Sequence, residues 1–249
     1  MSRGPRSGGR QPAVRVRSAG SRSAASTRWL QRQLNDPYVA EAKRHGYRSR
    51  AAFKLIELDQ RFRLLGRGKR VLDLGAAPGG WTQVAVERVG PTGRVVGVDI
   101  LPMDPVAGAV TLQLDVTGEE APARLREALG GPADLVLSDM APATTGHART
   151  DQLRIVALAE LAYATAAELL APGGAFVTKL FQGGAHAGLM AALRRDFAQV
   201  RHAKPPASRK ESAEIYLIAT GFRGRADADE GRDEGSASAG TARGAAGPP

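Results

Sequence analysis

A short apolar run broken by one acid, Val71-Leu72-Asp73-Leu74, leads directly into Gly75-Ala76-Ala77-Pro78-Gly79-Gly80 and then Trp81. Helix-compatible residues continue to Val89. A strand, a turn nearly free of side chains and a helix, in that order, are the opening unit of a parallel α/β sheet. In such sheets ligands bind beyond the carboxyl ends of the strands. The glycines and the proline keep side chains off the turn, so backbone N–H groups can approach a ligand closely. The spacing is not the dinucleotide pattern G-x-G-x-x-G, because the glycines after Gly75 fall at Gly79 and Gly80, behind Pro78. An ordinary glycine-rich strand-to-helix turn fits the same residues.

The rest of the chain repeats the alternation. Strands are predicted at Arg70–Leu74, Arg94–Val98, Val110–Leu114, Asp134–Ser138 and Ala175–Leu180. Helices are predicted at Thr82–Val89, Ala121–Leu129, Gln152–Leu170 and Ala187–Phe197. Ala198–Ala203 and Glu214–Thr220 follow with no helix between them, which predicts a closing antiparallel hairpin at the sheet edge. The expected fold is therefore a mostly parallel, Rossmann-like α/β sheet with helices on both faces and an antiparallel last strand. Before the sheet, Trp29–Ala42 has helical character interrupted by Pro37. Arg48–Phe62 places Phe53, Leu55, Ile56 and Leu58 at near-helical spacing, with Ser49 as a cap.

Composition divides the chain into three parts: a basic arm over 1–27, a folded domain over 28–221 and a tail over 222–249. Both ends are expected to be disordered. The formal net charge is +10, and residues 1–50 carry all of the excess, with twelve Arg or Lys against two acids. An arm of this kind favours a polyanionic partner, nucleic acid first. It also fits a solvated tail that aids solubility. There is no cysteine, which excludes disulfides, thiolate-bound zinc and a thiol nucleophile. No apolar run reaches membrane-spanning length, and the N-terminus lacks the apolar core of a secretory signal. A cytoplasmic monomer without metal is expected.

Candidate site residues cluster at strand ends. Asp99 closes the second strand, about 20 residues beyond the glycine-rich turn, where an acid can accept hydrogen bonds from both hydroxyls of a ribose. Asp115 closes the third and could receive an adenine amino group. Either could equally cap a strand end or a helix start. Asp139 follows the fourth strand in Ser138-Asp139-Met140-Ala141-Pro142. Lys179 stands among Phe176, Val177, Leu180 and Phe181, where partial desolvation disfavours its ammonium form, unless the side chain snorkels to solvent. Glu214 opens the last strand, and Lys54 lies on the helix before the sheet. Taken singly, each of these charges fits a surface position.

Together they carry a resemblance. Asp-x-Gly-x-x-Pro-Gly-Gly is similar to the first motif of S-adenosylmethionine (SAM) methyltransferases. RSRAAFKL (48–55), VLDLGAAPGGW (71–81), GVDILPMDP (97–105), LSDMAP (137–142), TKLFQG (178–183) and SAEIYLIATG (212–221) resemble, in order, the FtsJ/RlmE family of ribosomal RNA 2′-O-methyltransferases. The resemblance implies a seven-stranded SAM-dependent methyltransferase fold and a Lys-Asp-Lys-Glu tetrad at Lys54, Asp139, Lys179 and Glu214. It implies SAM-binding positions at Gly79, Trp81, Asp99, Asp115 and Asp139, and methylation of a uridine ribose 2′-hydroxyl in 23S, large-subunit, ribosomal RNA. One departure is Ala143, where many family members carry Asn.

A ribose 2′-hydroxyl is a poor nucleophile at neutral pH and must lose its proton while meeting the SAM methyl in line. The resemblance implies Lys179 as the base. Asp139 and Glu214 oppose its deprotonation, so they are better read as orienting the lysines and the hydroxyl. A lysine that only positions the hydroxyl is the milder alternative. A tRNA 2′-O-methyltransferase and a non-catalytic ribosome-assembly factor that keeps the fold are the competing functions.

Overall fold

The computed structural model describes residues 34–183 and 186–224, with positions 27, 30 and 31 ahead of them. The basic arm lies outside the described residues apart from position 27, and so does the C-terminal tail apart from Phe222 to Gly224. Positions 27, 30, 31 and 34 are helical, and α1 (Pro37–Arg44) and α2 (Ala52–Phe62) follow before the sheet. Then follow β1 (Arg70–Leu74), α3 (Gly80–Val89), β2 (Arg94–Asp99), β3 (Val110–Gln113), α4 (Ala121–Leu129) and β4 (Ala133–Ser138). The chain closes with α5 (Ala148–Leu169), β5 (Leu170–Phe181), α6 (Ala187–Asp196), β6 (Phe197–Ala203) and β7 (Glu214–Phe222).

The seven strands lie in the order β3-β2-β1-β4-β5-β7-β6. β7 runs antiparallel to both neighbours, and β1 to β5 are mutually parallel. The predicted hairpin exists, but β7 slots between β5 and β6, so the outer edge belongs to β6. This insertion brings Lys179 of β5 into register with Tyr216 of β7. The β1 to β4 crossing is where the strand order reverses, and a crevice opens there at the carboxyl ends of the strands.

Two apolar layers hold the helices to the sheet. One gathers Leu72, Leu74, Val96, Val136, Phe176, Leu180 and Leu217 against α4, α5 and α6. The other gathers Val71, Val95, Leu135, Val177, Tyr216 and Ile218 against α2 and α3, through Leu55, Leu58, Trp81, Val84 and Ala85. Neighbouring β-strand residues point to opposite faces, so strands covered on both sides read as unbroken apolar runs. Leu135, Val136 and Leu137 are each fully buried on β4.

The break expected at Pro37 is present: positions 27, 30, 31 and 34 are helical, 35 and 36 are not, and Pro37 opens the next helix, because proline has no N–H to lose in a first turn and the Asp36 carboxylate caps it by accepting from the N–H of Tyr38 at 3.0 Å. One local expectation is corrected. Ser49 does not cap α2, whose N-cap is Ala51 and has no side-chain hydrogen bond. The Ser49 side chain faces the glycine-rich turn, where a Cβ on Gly80 would lie 2.4 Å from its Oγ. Several element ends also move. α5 starts at Ala148, four residues early, because the Asp151 carboxylate takes the N–H and hydroxyl of Thr145 at 2.9 and 2.7 Å and ties the preceding loop to the first turn. β7 runs one residue past the expected domain end, to Phe222.

Candidate active site

The glycine-rich turn leaves β1 and enters α3 through Gly75, at φ +73°, and Gly79, at φ +107°. A side chain at either would be strained. A Cβ on Gly79 would also come within 2.9 to 3.2 Å of Val106, Arg48 and Met103. Arg48 is a brace that the sequence reading missed. Its guanidinium donates to the carbonyls of Pro78 (3.2 Å), Asp104 (2.6 Å) and Pro105 (2.7 Å), and its own N–H donates to Gln83 Oε1 at 2.8 Å. The turn is thus clamped to the loop after β2. Three carbonyls around one planar cation suit arginine and would not suit lysine.

Asp99 ends β2, and Asp115 lies two residues past the end of β3. Asp99 accepts the N–H of Ala77 on one oxygen and that of Leu101 on the other, both at 2.9 Å. Its carboxylate is therefore oriented by backbone, and each oxygen keeps a further lone pair. Asp115 is exposed, and its Oδ1 accepts both the N–H and the hydroxyl of Thr117, at 2.9 and 2.7 Å. Those hydrogen bonds hold its carboxyl below the usual range. Trp81, expected beside the ligand, is 3% exposed. Its indole N–H donates to the Ala51 carbonyl at 2.7 Å and its ring tilts against Tyr216, 5.7 Å away. It joins α2 to the turn and shares a small hollow with Asp73, Gly75, Ala76, Ala77, Pro78 and Asp139.

Asp73, the acid that opens the Asp-x-Gly-x-x-Pro-Gly-Gly motif, was given no role of its own in the sequence. It is 1% exposed and accepts the Thr82 hydroxyl at 2.7 Å. Burial pushes its carboxyl up to about 7; the Thr82 bond opposes this, and the charges of Asp139 and Asp99 add to it. Burial there favours the protonated carboxyl over the carboxylate.

Lys54, Asp139, Lys179 and Glu214 come together from α2, the end of β4, β5 and the start of β7. Lys179 is 6% exposed, as its apolar neighbours implied. Its Nζ donates to the Asp139 carbonyl at 2.6 Å and to Asp139 Oδ1 at 3.0 Å. Lys54 Nζ donates to Glu214 Oε2 at 2.7 Å and lies 3.8 Å from Asp139 Oδ2. Ser208 donates to the other Glu214 oxygen at 2.7 Å. Tyr216, wholly buried, donates its hydroxyl to Asp139 Oδ1 at 2.7 Å, with Lys54 Nζ 5.8 Å from the ring centre. Burial alone would raise the Asp139 carboxyl, but the charges of Lys179 and Lys54 and the hydrogen bonds from Tyr216 and Lys179 prevail and hold it below the usual range. The Tyr216 hydroxyl is pushed well above its ordinary value, by burial first and then by Asp139 and Glu214. A period of two from Glu214 places Tyr216 on the same face of β7, which is the signal that would have revealed it. Ala143 is an exposed position beyond β4, and the four charges assemble without it.

The turn hollow is lined by small side chains and by two carboxylates, Asp73 and Asp139, and a third acid closes β2. SAM carries two cationic centres, a sulfonium and an ammonium, and a ribose, so this donor and charge set fits it. Among the described residues no three His, Cys, Asp or Glu side chains group as they would around a metal ion.

A seven-stranded sheet in this order, with a side-chain-free turn after β1 and acids at the next strand ends, defines a SAM-dependent methyltransferase. The chain belongs to the FtsJ-like methyltransferase family, which it matches over residues 47–222. It is 62% identical to Ribosomal RNA large subunit methyltransferase E of Paramagnetospirillum magneticum, over 90% of this chain and 94% of that one. It is 58% identical to the protein of the same name from Azorhizobium caulinodans, over 92% and 98%. Among solved structures it resembles a ribosomal RNA methyltransferase of Plasmodium falciparum, with 31% identity and a TM-score of 0.64, over 72% of this chain and all of the other.

Proposed function

We propose that this enzyme transfers the methyl group of SAM to the ribose 2′-hydroxyl of a uridine in 23S ribosomal RNA, working as a monomer in the cytoplasm on the large subunit or its precursor. The observation that carries the chemistry is the convergence of Lys54, Lys179 and Glu214, from three separate elements, around Asp139, which lines the turn hollow. The name shared by its relatives supports large-subunit ribosomal RNA as the substrate.

SAM supplies an electrophilic methyl group. Asp99 would receive the ribose hydroxyls of the cofactor and Asp115 its adenine, and the turn through Gly79 and Trp81 would hold the rest of it. On the substrate side, Lys179 takes the proton of the attacking 2′-hydroxyl. Its Nζ already donates twice to Asp139, so its remaining position is directed and not free to wander. Asp139 sets that direction, and Tyr216 in turn holds Asp139. Lys54, fixed by Glu214, places a second cation near the oxygen that develops negative charge, which lowers the barrier electrostatically. Orientation of a hydroxyl against a fixed electrophile removes much of the entropic cost of the encounter.

The test is transfer from tritiated SAM to large-subunit particles and to the deproteinised RNA, followed by alkaline hydrolysis. A 2′-O-methyl blocks alkaline cleavage, so label in an alkali-resistant dinucleotide is expected. Label on a base, or on tRNA in preference, overturns the assignment. Comparing 2′-O-methylation across total RNA with and without the protein identifies the nucleotide.

A further inference from the structure

At the opposite end of the sheet from the catalytic cluster, Arg61, Phe62 and Arg63 at the end of α2 border a hollow of about 160 Å³ with Gln199 and Arg201 of β6 and Ile218 and Thr220 of β7. Several arginines around the active site are committed to partners. Arg48 is committed to three carbonyls, and Arg50 and Arg209 both pair with Asp36, at 3.1 and 3.2 Å. Arg61, Arg63 and Arg201 have no ion pair among the described residues, and no acid lines their hollow. Arg201 donates only to the neutral Gln199, at 3.0 Å, and Arg61 lies against the Phe62 ring. Three unneutralised guanidiniums around one concave surface repel each other, and an anion relieves that repulsion.

A second observation points the same way. Arg63 has φ +53° and is the sole left-handed residue other than glycine among those described. A helix end of this form is normally supplied by glycine, which carries no Cβ penalty. Here the strained position carries a long cationic side chain aimed at the hollow, and a residue in an unfavourable conformation is a pointer to function.

The hollow is also in line with the active site. Glu214, Tyr216, Ile218 and Thr220 alternate along one face of β7, so the first two reach the catalytic cluster and the last two the hollow. Lys54 and Arg61 are seven residues apart on α2, about 10 Å along its axis. Edge strand β6 leads from Arg201 to the loop that carries Ser208 beside Glu214.

We infer that the Arg61–Arg63–Arg201 hollow is a second RNA-contact site, which grips backbone phosphates of the substrate strand away from the nucleotide being methylated. Planar guanidinium forks match phosphate oxygens, and such contacts position a nucleic acid without reading its sequence. That the polyanion is ribosomal RNA rests on the function proposed above; that it is RNA backbone does not depend on which RNA is the target.

The experiment uses the full chain and two probes: polyuridylate, followed by fluorescence anisotropy across a salt series, and large-subunit ribosomal RNA in methyl transfer. The variants are Arg63→Gly alone and the triple R61Q/R63G/R201Q. For the triple variant, the dissociation constant for polyuridylate should rise about tenfold near 0.1 M salt. Its log–log salt dependence should flatten by about 0.7 if the arginines share one phosphate and by about 2 if each takes its own. KM for the ribosomal RNA should rise, with kcat at saturating RNA and SAM affinity unchanged. Arg63→Gly should melt no lower than wild type, since glycine suits the left-handed backbone, and still flatten the salt dependence; this separates a binding role from a structural one if the triple variant folds poorly. Wild-type salt slope and affinity in both variants would overturn the inference. A wild-type enzyme that fails to methylate the ribosomal RNA would overturn the proposed substrate instead, and the polyuridylate titration would still decide the hollow.

Discussion

The two halves of the sheet hold their charges in different ways. In the β1–β3 half, charged groups face backbone: Asp99 takes two N–H groups, Asp115 takes Thr117, and Arg48 gives to three carbonyls. In the β4–β7 half, charges face charges: Lys179 with Asp139, Lys54 with Glu214 and Asp139. The first arrangement makes a rigid cradle whose shape is set by backbone groups. The second makes a reactive cluster in which each group is tuned by the others, because opposite charges a few ångströms apart in a dry site interact far more strongly than in water. Binding and chemistry are thus separable in space, and substitutions should separate them in measurement.

The largest separation is expected at Lys179. Lys179→Ala should lower the single-turnover rate by about 10²–10⁴-fold, the usual contribution of a general base, while calorimetry finds SAM affinity near wild type. Lys179→Arg is sharper, because arginine keeps the charge and does not give up its proton. It should be as inactive as the alanine variant; a near wild-type rate would leave positioning as the role of Lys179.

Asp73 lies on β1, the seam of the two halves, and is expected to show itself in stability. Its folded carboxyl titrates at about 7, above the ordinary carboxylate value. The folded state therefore binds the proton more tightly than the unfolded chain. The contribution of Asp73 to stability should be greatest below about pH 4, decline as pH rises toward 7 and level off above it, whereas carboxyls held low, such as Asp139, contribute in the opposite sense. Asp73→Asn mimics the protonated form. In urea melts it should match wild type near pH 4 and exceed it by a few kcal/mol at pH 8, since one pKa unit is worth about 1.4 kcal/mol. Equal melts at pH 8 would mean that Asp73 is stabilised as an anion.

Asp99→Ala tests the cradle. It should weaken SAM binding by about 1.5–3 kcal/mol, the worth of hydrogen bonds to a charged group, with little effect on the rate at saturating SAM. Unchanged affinity in a folded variant would remove Asp99 from the ribose site. The smallest effect is expected at Tyr216→Phe, which removes one of the donors holding Asp139. A loss of about 0.5–1.5 kcal/mol should appear in kcat and not in SAM affinity. A loss in affinity instead would mean that Tyr216 serves the cradle through Trp81.

The cradle was legible in the chain because it is local. One contiguous stretch, Val71–Trp81, carries the strand, the turn and the helix start, and Asp99 and Asp115 close the next two strands. Even so, the parts played by two of its members were not legible. Asp73 was given no role of its own, and Arg48 works through carbonyls of residues 30 to 57 positions away, which no pattern displays. The cluster was legible only through family resemblance. Composition and spacing alone made Lys54, Asp139, Lys179 and Glu214 fit ordinary surface charges.

By itself the amino-acid order determined the alternating elements, the parallel α/β class, the closing hairpin and the segments that carry the chemistry, because these follow from local periodicity and from what glycine and proline permit. Tertiary structure alone decided that β7 inserts between β5 and β6, and with it which charges become partners. Lys179 meets Asp139, Tyr216 enters the site and Arg201 comes beside Arg63 only once the sheet order is set. A pairing across the fold depends on where the backbone returns in space, and long-range closure leaves no periodic trace in the residues it joins.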